Sequence, residues 1–202
     1  MQIIAERALD ALISSALLLL FLIVLGVLLG QLKTTILNIL CTVFGASVGE
    51  FIINRLTFPG TIHHELSHAL LAAVSGARVT RIRLFNLHGS TLGSVQMIPR
   101  GGALLQSLQL CLSAIAPALC GMVTLYLLTQ AVYPMAGELW QRILIGYLVF
   151  SILLQMTLSR QDLKTARRGL PLTFLLLFAI LFVLGVDLLS PIQAFFSDVI
   201  VS

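Results

Sequence analysis

Four stretches of this chain are long, apolar and nearly free of charge: Ala11 to Gly30, Gly102 to Tyr133, Leu139 to Ser159 or beyond, and Leu172 to Leu189. A helix rises about 1.5 Å per residue, so about 20 such residues cross the roughly 30 Å hydrocarbon core of a bilayer. Inside that core the backbone has no water to bond, which leaves helices and closed barrels as the ways across. Unbroken apolar runs of this length point to helices. The chain is 58% hydrophobic and 10% charged, against about 25% charged in soluble domains, too little polar surface to face water. Two weaker runs complete the pattern. Thr34 to Asn54 holds Asn38, Thr42, Ser47 and Glu50, and Thr57 to Gly76 is interrupted by histidines. The expectation is an all-α polytopic membrane protein with about six transmembrane helices, at 11–30, 34–54, 57–76, 102–133, 139–168 and 172–189, forming one membrane-embedded domain over residues 1–202.

The charges fall between the runs. With the amino terminus outside, nine basic residues lie inside (Lys33, Arg78, Arg81, Arg83, Arg100, Arg160, Lys164, Arg167 and Arg168), against Arg7, Arg55 and Arg142 outside. The excess of Lys and Arg in cytoplasmic loops favours that placement in a multi-pass protein of the cell membrane. The net charge of +4 is accounted for this way, and nucleic acid is not an expected partner. Lys164, Arg167 and Arg168 read as part of this signal, at the lipid head groups. Cys41, Cys111 and Cys120 sit inside apolar runs with no CxxC spacing and read as small hydrophobes. The first run lacks a clear cleavage site and reads as a retained span. Gly26 with Gly30, and Gly45 with Gly49, are GxxxG pairs that would let helix backbones approach closely. Pro117 is expected to kink the fourth span.

Within the weakest run, residues 64 to 68 read His-Glu-Leu-Ser-His. Positions i and i+4 share one face of a helix, so His64 and His68 can reach one zinc ion while Glu65 faces a water on it. Pro59 and Gly60 suit the start of that helix and Gly76 its end. Polar groups at membrane depth are costly, which makes this helix the candidate centre. A structural polar cluster is the bland alternative. His63 points about 100° away from His64 and reads as a hydrogen-bonded neighbour. His88 reads as a surface residue in a turn, and Gln106, Gln109 and Gln155 as interhelical hydrogen-bonders. After the helix comes the one stretch that reads as β, a hairpin at about 78–98: Arg78 to Phe85 and Ser94 to Ile98 alternate around a turn-like Asn86 to Ser90. It would either cap the bundle or offer an open edge on which an unwound substrate segment adds a strand.

The segment Phe58-Pro59-Gly60-Thr61-Ile62-His63-His64-Glu65-Leu66-Ser67-His68-Ala69-Leu70, the β segment after it and a later span ending in an acidic residue resemble the site-2 protease family of intramembrane zinc metalloproteases, over about residues 57–170. The resemblance implies hydrolysis of membrane-spanning or membrane-associated peptides. It also implies zinc held by His64, His68 and a distant Asp, with Glu65 as general base. The family's usual Leu-Asp-Gly is absent, and its nearest counterpart is Ser159-Arg160-Gln161-Asp162-Leu163-Lys164. Depth favours Asp162 over Glu50 and Asp187. His68 lies about 12 Å from the inner end of its helix, and Asp162 about 9 Å if the fifth helix continues to Arg168, whereas Glu50 and Asp187 lie roughly 24 Å away. The bland alternative for Asp162 is a solvated loop residue paired with Arg160 or Lys164. Two other classes stay open: a catalytically silent scaffold of the same fold, and a transporter handling metal ions or protons.

Overall fold

A computed structural model of the chain describes residues 2–84 and 93–186. The expected turn at 86–90, His88 and Asp187 lie outside the described residues. The elements are α1 (Gln2–Phe44), α2 (Ala46–Phe51), a wide helical turn (Ile52–Leu56), α3 (Phe58–Val74), strands β1 (Arg78–Arg83) and β2 (Ser94–Ile98), α4 (Ala103–Leu127) extended by short turns to Met135, α5 (Leu139–Gln155), α6 (Arg160–Ala166) and α7 (Leu170–Leu184). The architecture is helical with one small antiparallel sheet.

The expected division into six runs is not the division into helices. Residues 11–30 and 34–54 were expected as separate spans, yet one helix runs from Gln2 to Phe44, about 64 Å long. Gln31 to Thr35 is polar but contains neither proline nor glycine, and polarity alone does not end a helix. The break comes at Gly45, whose φ of 86° suits a residue without Cβ. The expected 139–168 span is likewise two helices, α5 and α6, bent by 64°. Among the described residues two helical stretches, Ile4–Phe44 and Ala103–Met135, are long and apolar enough to cross a membrane, and α5 with α6 makes a third if the bent pair is one span. At 17 and 15 residues, α3 and α7 fall short of a full crossing.

Helices α1 and α4 meet in two clusters. Leu19 and Leu22 share one buried cluster with Cys111, Ala114, Ile115 and Ala118, while Leu29 shares another with Ile152 and Met156, against which Leu125 and Leu128 pack. Along this contact α1 and α4 therefore run in the same direction.

Of the two GxxxG pairs, Gly26 with Gly30 does not meet a second helix, whereas Gly49 brings α2 close to the backbone of α1. At Gly26 the Leu158 N–H donates to the glycine carbonyl (3.1 Å), and a Cβ there would strike the Leu158 side chain. What packs on this face of α1 is the link between α5 and α6. Gly49 lies against Cys41 across the break at Gly45. Pro117 lies within α4, which continues through it.

Polar contacts fix α3 in its place. The buried Ser151 hydroxyl accepts from Gly60 N–H (2.9 Å) and donates to the Thr57 carbonyl (3.1 Å), and Tyr147 Oη donates to the Leu56 carbonyl (2.6 Å). At the other end Gln109, 1% exposed, donates to the Ser75 carbonyl (3.1 Å) and accepts from Arg100 N–H (2.8 Å). A Cβ on Gly60 would fall on the Ser151 carbonyl, so Gly60→Ala is expected to destabilise the protein by about 1–3 kcal/mol. The midpoint of thermal unfolding measures this, with Gly146→Ala as the control, since a Cβ there meets nothing within 4 Å. Equal midpoints for the two variants would refute the close approach of α3 to α5.

β1 pairs with β2 from Arg78 opposite Ile98 to Arg83 opposite Ser94, with an irregularity between Val79 and Arg81. Among the described residues the second edge of β2 pairs with no strand.

Candidate metal centre

His64 and His68 stand one turn apart on α3. His64 Nδ1 lies 2.7 Å from the Gln155 carbonyl and His68 Nδ1 lies 2.6 Å from the Ser113 carbonyl. A carbonyl can only accept, so each ring carries its proton on Nδ1 and leaves a lone pair on Nε2. Those two Nε2 atoms are 3.1 Å apart. Two lone pairs facing each other repel unless a cation sits between them.

Asp162 completes the group. Its Oδ1 is 3.9 Å from His68 Nε2, and the ligand atoms of His64, His68 and Asp162 all lie within 4.8 Å of one another. Donors around a tetrahedral zinc at about 2.0–2.1 Å are roughly 3.3 Å apart, so the three groups need only small shifts to share one ion. Two imidazole nitrogens and a carboxylate oxygen are a donor set that zinc accepts, and among the described residues they are the one such cluster. Glu50, exposed on α2, lies outside this cluster, and so do the three free cysteines.

The break between α5 and α6 builds this site. In a continuous helix the Gln155 carbonyl would accept from the N–H of residue 159. Here Ser159 N–H donates instead to Asp162 Oδ2 (2.9 Å), Ser159 Oγ donates to the same oxygen (2.6 Å), and Asp162 N–H donates to Ser159 Oγ (3.0 Å). This reciprocal capping box starts a new helix. It frees the Gln155 carbonyl for His64 and leaves Asp162 Oδ1 facing His68. Among the described residues Asp162 meets Ser159 and His68, not Arg160 or Lys164. The signal was present in the sequence as Ser159-Arg160-Gln161-Asp162, which hydropathy passes over.

Glu65 is 8% exposed and belongs to the same cavity without joining the donor cluster. This cavity, of about 580 Å³, is lined by His64, Glu65, His68 and Asp162 and by β2 from Ser94 to Met97. Just before β2, a Cβ on Gly93 would lie 2.5 Å from Glu65 Cγ, so the strand's entry passes directly over the carboxylate. Two carboxylates and two imidazoles thus share one cavity. No family model, curated protein or solved structure matches this chain. His63 turns away, with Nε2 2.9 Å from Thr124 Oγ1, and borders a separate apolar groove with Leu66 and Cys120. The backbone carbonyls of Gln155 and Ser113 carried no sequence signal for their roles.

Proposed function

We propose that this chain is a membrane-embedded zinc metalloprotease that hydrolyses peptide bonds of membrane-spanning or membrane-associated substrates, as its resemblance to the site-2 protease family implies. The reading is carried by one juxtaposition: converging lone pairs of His64 and His68 with Asp162 opposite, beside a buried Glu65 that is free of the donor set. Zinc, when bound, would polarise the scissile carbonyl and acidify its water toward neutrality. Glu65 then takes a proton from the attacking water and hands it to the leaving amine. The Gln155 and Ser113 carbonyls hold both imidazoles in the tautomer that donates Nε2. A transmembrane helix hides its carbonyls in internal hydrogen bonds, so a substrate must unwind, and the unpaired edge of β2 along the cavity would hold the extended strand.

Zinc content of the purified protein, paired with cleavage of candidate membrane peptides, tests the reading. About one zinc per chain, lost in His64→Ala and His68→Ala, is expected. Zinc without cleavage would point to a silent scaffold, and metal flux across vesicles without cleavage to a transporter.

In this reading the protein is multi-pass in the cell membrane with the hairpin face cytoplasmic. With α1 and α4 parallel, Arg7 joins the hairpin side and Lys33, inside a helix, leaves the count of loop charges, so the split becomes nine to two. In a background lacking Cys41, Cys111 and Cys120, Glu6→Cys and Arg83→Cys are expected to react with impermeant thiol reagents from the cytoplasmic face only, and Gly137→Cys from the outside only. Glu6→Cys and Arg83→Cys reacting from opposite faces would restore the six-span order.

A further inference from the structure

Lys33 lies well inside α1, a helix that supplies none of the donors, and its ammonium donates to Gln155 Oε1 at 2.6 Å. Among the described residues it has no carboxylate partner. An unpaired cation is costly in an apolar bundle, and a methionine of similar length would pack α1 at lower cost. The amide it binds is held from both sides, because Gln155 Nε2 donates to Thr57 Oγ1 at 2.8 Å. Gln155 is also the last residue of α5, and its carbonyl accepts from His64 Nδ1 at 2.7 Å.

A carbonyl at a broken helix end lacks the N–H that would fix its direction. Here the side chain of the same residue supplies that restraint, bracketed by α1 through Lys33 and by the start of α3 through Thr57. A hydrogen bond from a charged donor is roughly twice as strong as a neutral one, and it polarises the amide toward Thr57. We propose that Lys33 is a positioning residue for His64: through the Gln155 amide it fixes the Gln155 carbonyl, and so the tautomer and aim of the His64 ring.

The inference rests on the metal-centre reading and is tested by two measurements on the full-length protein in bilayer nanodiscs. One is zinc affinity by chelator competition. The other, made without metal, is the histidine ¹⁵N NMR spectrum, which reports the tautomer of His64. Partners that orient a metal-bound histidine typically contribute 10- to 100-fold in affinity. Lys33→Met is expected to weaken zinc binding about 10- to 100-fold and to turn His64 from the Nδ1–H form to a tautomer mixture, leaving His68 unchanged. Lys33→Arg, which keeps a charged donor, is expected to restore both to near wild type. Thr57→Val, which removes the second bracket and keeps side-chain shape, is expected to give a smaller change in the same direction, and stands in should Lys33→Met fail to fold. Wild-type affinity and tautomer in Lys33→Met, or in Thr57→Val if that is the variant that folds, would overturn the proposal. So would equal losses in Lys33→Met and Lys33→Arg with equally lowered melting, the mark of a simple clamp between helices. A wild-type protein that binds no zinc but shows the expected His64 shifts would sink the metal-centre reading and leave the positioning role standing.

Discussion

Glu65→Gln is expected to keep zinc near one per chain while peptide hydrolysis falls by at least about a hundredfold. Glutamine has the shape of glutamate, which matters because Gly93 leaves no room against Glu65 Cγ for a larger group. Packing over the cavity therefore stays intact. Glu65 is not among the three groups whose donor atoms converge, so its charge is not needed to hold the ion. What the amide cannot do is accept a proton from water and pass it to the leaving nitrogen. Zinc by atomic absorption and cleavage of one membrane peptide, measured on the same preparation, separate these roles. Unchanged cleavage would refute the mechanism, and loss of zinc together with activity would make Glu65 a ligand.

The motif helix was legible because its ends carry chemical signals. Pro59 near the start and Gly76 after the end bracket a helix found at Phe58–Val74. The strands were legible from alternation, at Arg78–Arg83 and Ser94–Ile98. The longer helices were misdivided because hydropathy reports the medium a residue prefers and not where the backbone stops. Gln31 to Thr35 looked like a loop and is helix, whereas Gly45, inside an apolar run, is the break. Asp162 reached the right neighbourhood by an argument whose premise fails. A straight helix to Arg168 does not exist here, and the bend between α5 and α6 is what brings Asp162 to His68. The partners of the imidazoles are the backbone carbonyls of Gln155 and Ser113, and neither spacing nor periodicity encodes them.

Asp162→Ala is expected to lower zinc affinity by at least about a hundredfold, since even the residues that merely orient ligands contribute 10- to 100-fold, and to abolish cleavage with it. The two carboxylate oxygens have separate tasks. Oδ2 receives Ser159 N–H and Oγ–H, and Oδ1 faces His68 Nε2. Alanine removes both, so loss of zinc could follow from an unravelled start of α6 and not from a missing ligand. Ser159→Ala separates the two. It deletes the capping hydroxyl, at a cost of about 0.5–2 kcal/mol, while leaving the carboxylate in place. If Asp162 is a ligand, Ser159→Ala keeps zinc to within a few-fold and Asp162→Ala does not. If Asp162 only starts the helix, the two variants lose zinc alike. Glu50→Ala, on the exposed side of α2, is expected to bind zinc and cleave as the wild type does. Loss of zinc there, with retention in Asp162→Ala, would remove the carboxylate from the site and with it the account of why α5 breaks where it does.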